Sequence, residues 1–107
     1  MRLVGGIGTY SGRVEIYYNG AWNTVCDDSW ENVDATVVCS KQGYRNGIAK
    51  LYAHYGQGTG LIMMDEVACS GHEARITDCS SAGFFTHNCQ HSEDAGVECS
   101  SKSQLDI

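Results

Sequence analysis

The sequence predicts a small α+β domain held together by disulfides, and three observations carry that expectation. A β-hairpin signature stands near the start, one helix-spaced segment follows it, and six cysteines are spread through 107 residues. The length fits one compact domain and leaves no room for a second. A domain this small buries only about two-thirds of the surface its unfolded chain exposes, so cross-links supply stability that the core alone lacks.

The elements follow in order. Leu3-Val4 reads as strand-like. Residues 13–18 alternate, with Val14, Ile16 and Tyr18 on one face. Asn19-Gly20 comes next, a pair that readily takes the two positive φ angles of a type I′ turn. Residues 21–26 are then the return strand of a hairpin. The segment 34–42 carries β-branched residues that favour a strand, but Ala35, Val38, Cys39 and Gln42 fall at helical spacing. Asn32 or Asp34 is placed to cap its start and Gly43 to take the left-handed position beyond its end, so a helix is predicted. Residues 48–53 and 61–67 read as strands separated by the loose Gly56-Gln57-Gly58-Thr59-Gly60 loop. A short helix is predicted over 73–79 and a closing strand over 97–99. The domain is expected to occupy 2–100, with 101–107 a tail or linker.

The cysteines are Cys26, Cys39, Cys69, Cys79, Cys89 and Cys99. Zinc ribbons bring their ligands in as close pairs, because one tight turn must present two thiolates to one metal, and no such pair occurs here. The alternation His87, Cys89, His91 is the best zinc reading available. An even cysteine count in a short Gly-rich chain points instead to disulfides. Spacing alone does not choose among the possible pairings. No secretory h-region follows Met1, so the chain reads as a segment of a larger secreted or membrane-anchored protein.

Thirteen acidic against seven basic residues give a formal charge of −6. That balance argues against a nucleic-acid binder, which needs clustered cations to displace counterions from phosphates. The apolar run Leu61-Ile62-Met63-Met64 is far too short for membrane insertion. The acids are clustered: Asp27-Asp28 follows Cys26, Asp65-Glu66 ends an apolar strand, and Glu93-Asp94 lies between Cys89 and Cys99. Adjacent carboxylates repel unless a cation or basic partner neutralises them. Hard divalent cations take several oxygen ligands. A solvated acidic face is the plainer reading of the spacing, since exposed carboxylates are the norm. Ser70-Gly71-His72 and Ser92-Glu93 lack the context of a nucleophile elbow, so no enzyme is predicted. Trp22, Trp30, Phe84 and Phe85 are read as core or disulfide-packing residues first.

Several motifs, taken in order, resemble one family. They are Arg2-Leu3-Val4-Gly5-Gly6, Gly12-Arg13-Val14-Glu15-Ile16, Thr24-Val25-Cys26-Asp27-Asp28-Ser29-Trp30 and Asp34-Ala35-Thr36-Val37-Val38-Cys39. Gly56-Gln57-Gly58-Thr59-Gly60, Cys69-Ser70-Gly71-His72-Glu73 and the run from His87 to Cys99 complete the set. Together they resemble the scavenger receptor cysteine-rich (SRCR) domain over residues 2 to 100. Tyr10 and Tyr44 stand where the eight-cysteine type has an extra pair, so the chain looks like the six-cysteine group A. The resemblance implies the pairings Cys26–Cys89, Cys39–Cys99 and Cys69–Cys79. It also implies a curved, mainly antiparallel sheet cradling one α-helix, with a loop-rich C-terminal half.

The same resemblance implies two neighbouring cation sites. Carried over by position, Asp27, Asp28 and Glu93 form the first, and Asp65, Glu66 and Asn88 the second. Carboxylate and amide oxygens suit Ca2+, with Mg2+ the alternative. Glu66 stands where Asp is usual; Asn23, Met63 and Gln42 replace a frequent Gly, Trp and Leu. The function expected from the resemblance is an extracellular, non-catalytic module binding polyanionic ligands or microbial surfaces through bound cations, flanked by neighbouring domains. The rival expectation is a protein partner, with the domain an interaction or spacer module. Two divalent ions would bring the formal charge from −6 to −2.

Overall fold

The computed structural model describes residues 1–102. The backbone orders itself as strand β1 (Arg2–Gly5), β2 (Ser11–Tyr18), β3 (Ala21–Val25), helix α1 (Asn32–Lys41), β4 (Tyr44–Lys50), β5 (Ile62–Met64) and β6 (Gly96–Lys102). Single 3-10 turns stand at Ile76–Asp78 and His91–Glu93. The strands join one sheet in the order β4-β6-β2-β3-β5, with β1 paired to β2 off this path. All pairings are antiparallel except β3 with β5, which run parallel. The result is a curled mixed sheet with α1 laid against β4 and β6. No helix among the described residues is long and apolar enough to cross a membrane.

The hairpin forms as its turn chemistry dictates. Asn19 and Gly20 take φ of 55° and 81°, which a type I′ turn requires at both central positions. Val14 and Ile16 are buried as the alternation predicts, but Tyr18 is 40% exposed. Glu15, on the opposite set, is buried instead, because Arg2 and Arg13 hold its carboxylate at 2.7 and 2.8 Å. Burial pushes this carboxyl up, yet the hydrogen bonds and charges of Arg13 and Arg2 outweigh it and hold it below the ordinary range. Asn23 fills the inside of the turn, donating from Nδ2 to the carbonyls of Ile16, Tyr18 and Ala21.

Helix α1 begins two residues before the predicted start. Glu31 is the N-cap residue, and its amide donates to Asp34 Oδ2 at 2.8 Å. Asn32 therefore does not cap; its Oδ1 accepts the Ala49 amide at 2.8 Å and ties the helix to β4. Gly43 takes φ of 90° beyond the helix end, the left-handed position expected of it. The helix buries Ala35, Val37, Val38 and Cys39 against Val14, Ile16, Met63 and Val97. Trp30 is core, its Nε1 donating to the Gly96 carbonyl at 2.9 Å. Phe84, in contrast, is 40% exposed.

Four other segments depart from their expected bounds. The strand predicted over 48–53 is β4, which ends at Lys50, because Tyr52 and Ala53 turn into left-handed φ of 57° and 50°. The strand predicted over 61–67 keeps only three residues, and Glu66 at φ of 55° breaks its continuation. Only Ile76–Asp78 of the segment 73–79 is helical, as one 3-10 turn. The closing strand is longer than 97–99, since pairing with β2 and β4 draws in its neighbours up to Lys102. Residues 103–107 of the expected tail lie outside the described residues.

Three disulfides join Cys26 to Cys89, Cys39 to Cys99 and Cys69 to Cys79. These are the pairings the resemblance implies, and no cysteine is free. The zinc reading of His87, Cys89 and His91 fails, because Cys89 has no thiolate to offer. His87 Nδ1 accepts the Cys89 amide at 3.0 Å instead.

Candidate cation site

The parallel pairing of β3 with β5 decides where the acids meet. Both strands point the same way, so the residues just past their C-terminal ends emerge side by side. Those residues are Asp27-Asp28 beyond β3 and Asp65-Glu66 beyond β5. The amide of Cys26 donates to the Met64 carbonyl at 2.8 Å and continues this alignment one step past β3. A third segment arrives from the other side. The Asp27 amide donates to the Glu93 carbonyl at 2.8 Å, Cys26 and Asp94 form an antiparallel bridge, and the Cys26–Cys89 disulfide fixes the approach covalently.

Oxygens of Asp28, Asp65 and Glu66 lie within 4.8 Å of one another. Oxygens that share a Ca2+ shell sit about 2.3–2.6 Å from the ion, so such a separation suits common ligation. Asp28 and Glu93 form a second grouping around the Cys26–Cys89 sulfurs, again within 4.8 Å. The bridged sulfurs are poor donors to a hard cation, which leaves the two carboxylates as its useful ligands. Asp28 thus belongs to both groupings, where the resemblance implies two separate sets.

Asp27 joins neither grouping. It is 7% exposed, and its Oδ2 accepts the Tyr52 amide at 2.7 Å. Asn88 is exposed; its Oδ1 and Asp28 Oδ2 each lie 3.6 Å from Cys89 Sγ, which places both beside the same sulfur. Asp65 Oδ1 accepts the Glu66 amide at 2.8 Å, and Glu66 Oε2 accepts the Ser29 hydroxyl at 2.9 Å. Glu93 Oε1 accepts the Gln90 amide at 3.2 Å and closes its own 3-10 turn.

Electrostatics record this crowding. Loss of water, then the charges of Asp65, Glu93, Asp27 and Glu66, push the Asp28 carboxyl above the ordinary aspartate range. Burial pushes Asp27 the same way; the Tyr52 amide opposes it, and Glu93 and Asp65 add to it. Among the described residues the ion pairs engage Glu15, Glu98, Asp78 and Asp94, and none engages these five acids. The donor set fits a hard divalent cation by oxygen chemistry and by charge.

Neighbouring groups support the cluster, among them His91, which the sequence offered as a zinc ligand and which serves here as a hydrogen-bonding clamp. His91 Nε2 meets the Gly60 carbonyl at 2.9 Å and Nδ1 meets Asp94 Oδ2 at 3.0 Å, which clamps the turn bearing Glu93 to the Gly-rich loop. Burial pushes this imidazole down, and the Gly60 carbonyl and Asp94 outweigh it and hold its pKa up. A protonated ring satisfies both contacts at once, since each then takes an N–H. The Ser29 hydroxyl follows Asp27-Asp28 directly and was legible as a neighbour. The Tyr52 amide carried no signal in the sequence, because any residue supplies an amide.

A family model for the scavenger receptor cysteine-rich domain matches residues 4–100. A scavenger receptor cysteine-rich domain superfamily protein of Patiria pectinifera is 51% identical over 106 residues, covering 98% of this chain and 9% of that protein. Galectin-3-binding protein of Pongo abelii is 50% identical over 105 residues, covering 97% of this chain and 18% of that protein. The chain thus spans less than a fifth of each of these curated relatives. Among solved structures, the dimeric form of the SRCR domain of mouse MARCO superposes with a TM-score of 0.79 at 50% identity, covering 94% of each chain. The third SRCR domain of murine neurotrypsin gives a TM-score of 0.84 at 46% identity, covering 92% of each.

Proposed function

Because the chain belongs to the scavenger receptor cysteine-rich domain family, we propose that it is an extracellular, non-catalytic binding module that recognises anionic ligands through divalent cations. Asp28, Asp65 and Glu66 hold one ion, and Asp28 with Glu93 contributes to a second. Asn88 supplies a neutral oxygen beside them, and Asp27 positions the Asp28 segment through the Tyr52 amide. The ion is Ca2+, with Mg2+ the alternative; either supplies positive charge and coordination positions for a sulfate, phosphate or carboxylate. Polyanionic polymers and microbial surfaces present such groups densely, and repeated copies of a weak site gain avidity on them. Three disulfides suit an oxidising, extracellular setting.

The observation that carries this reading is the gathering of four carboxylates, Asp28, Asp65, Glu66 and Glu93, from three chain segments, none of them in an ion pair among the described residues. A chain at −6 repels polyanions, and this cluster turns attractive to them only once divalent ions offset it. Calorimetric titration of the oxidised domain with CaCl2 and MgCl2 tests it, followed by binding to immobilised dextran sulfate with and without EDTA. Saturable heat, chelator-sensitive binding and at least a tenfold loss of Ca2+ affinity in Asp28→Asn are expected, or about 1.4 kcal/mol. No heat together with no change in melting temperature would overturn the reading and favour a protein-interaction or spacer module.

A further inference from the structure

A second surface, sharing no residue with the acidic cluster, has the make-up of a protein-docking pocket. A cavity of about 480 Å3 opens between the end of β2, the last turn of α1 and the 3-10 turn at Ile76–Asp78. Its lining includes the buried side chains Ile16, Val38 and Ile76, and its aromatic wall is Tyr17, Tyr18 and Phe84. The three rings are 57%, 40% and 40% exposed. Volumes of roughly 300–1,000 Å3 with apolar floors and a few convergent polar groups are the usual form of a binding pocket.

The aromatic wall continues beyond the cavity. Tyr18 meets Phe84 edge-on at 5.6 Å and Phe85 at 6.0 Å, and Tyr17 meets Trp22 edge-on at 5.2 Å. Arg2 stacks over Trp22 at 4.0 Å from the ring centroid. Tyr, Trp and Arg dominate the energetic centres of protein interfaces, because they bring large rigid contact area with a polar handle. Here Tyr17, Tyr18 and Arg2 are exposed, Trp22 is half-buried, and the rings are held in place by their mutual contacts. Contiguous exposed aromatic surface marks interaction sites on folded proteins.

Charge selects the occupant. The pocket is lined by Lys41, Arg75 and Asp78. Asp78 is paired with Arg75 at 3.3 Å, and Lys41 has no ion-pair partner among the described residues. The net sign at this rim is positive in a chain that is −6 overall. Lys41 also stands in the last turn of α1, where a cation complements the negative end of the helix dipole.

We propose that this pocket docks a protein partner through one apolar anchor side chain flanked by acidic residues. The anchor enters the cavity between Tyr18 and Phe84 over Ile76, and the flanking carboxylates meet Lys41 and Arg75. The pocket works without a divalent cation, so it is independent of the function proposed above.

The test uses the oxidised 107-residue domain as bait for a phage-displayed library of random twelve-residue peptides, panned in the presence of EDTA. Enrichment of sequences with an aromatic or large aliphatic residue next to Asp or Glu is expected. Synthetic copies of the enriched peptides should bind at least tenfold more weakly to a Lys41→Glu, Arg75→Glu double variant and to Phe84→Ser. All three positions are exposed, and intact mass with circular dichroism checks that each variant keeps its disulfides and fold. Failure to enrich any sequence, enrichment without acidic residues, or equal binding to the variants overturns the proposal. Sedimentation of the free domain covers the remaining occupant: a dimer that Phe84→Ser dissociates would assign the pocket to a second copy of the chain and likewise overturn it.

Discussion

Asp34 shows how one buried carboxylate can fasten two distant pieces of this fold. It is 1% exposed, and its two oxygens accept the Glu31 amide at 2.8 Å and the Cys69 amide at 2.9 Å. The first contact closes the start of α1, and the second moors the segment that begins the Cys69–Cys79 loop. Burial pushes this carboxyl up, while the Cys69 and Glu31 amides oppose that and Glu31 and Glu73 add to it. Asp34→Ala leaves two amides without their acceptor and is expected to destabilise the domain by about 2 kcal/mol. Urea unfolding of the oxidised protein measures this; a midpoint equal to that of the parent would show the two contacts to be dispensable. Asp34 was legible in the sequence as a helix-start residue. Its second partner was not, because Cys69 lies far along the chain and an amide acceptor leaves no pattern in composition.

At the scale of elements, α1 sits on β4 as closely as backbone permits. A Cβ at Gly47 would stand 2.5 Å from the Ala35 carbonyl oxygen and 2.8 Å from Cys39 Sγ. Gly47→Ala therefore forces the helix away from the strand and is expected to cost about 1–3 kcal/mol, the usual range for overpacking. Thermal unfolding followed by circular dichroism reads the shift, and an unchanged melting temperature would mean that the contact yields freely. The hairpin was legible because Asn19-Gly20 requires one turn type. The helix was legible only in part: Thr36, Val37 and Val38 argue for a strand, and the buried face together with the Glu31–Asp34 cap decides otherwise. The strand β5 was legible as an apolar run, but not its partner or its direction, since periodicity within a segment says nothing about what pairs with it. The acidic pairs were visible as residues, and their nearness to one another was implied only by the family resemblance, since spacing within a segment does not show it. The parallel β3–β5 step makes Asp28 common to both candidate groupings and turns Asp27 towards Tyr52.

For the molecule as a whole, the Cys26–Cys89 bridge spans 63 positions and the Cys69–Cys79 bridge only 10. Loop-closure entropy grows with span, so the longer bridge restrains the unfolded chain more. A Cys26→Ala, Cys89→Ala double variant is expected to lose about 4 kcal/mol, and the Cys69→Ala, Cys79→Ala variant measurably less. Only the first should also weaken Ca2+ binding, because it frees the segment carrying Asn88 and Glu93 from Asp28. Denaturant unfolding and calcium calorimetry on both variants check the order; the reverse order in either measurement would refute it.

The alignment of β3 with β5 has one more consequence, for the route by which the chain reaches this state. The three acidic segments are remote in sequence, so an unfolded chain keeps them apart and feels little of their mutual repulsion. Closing the sheet brings the segments together, and the repulsion is then a load borne by the native structure alone. Whatever neutralises the cluster then acts on the native state and not on the denatured one. A divalent ion at a hundred times its dissociation constant would add about 2.7 kcal/mol to the folding equilibrium by mass action. The resting chain is in this sense held under tension, and its ligand set doubles as a thermodynamic gauge of the surrounding medium.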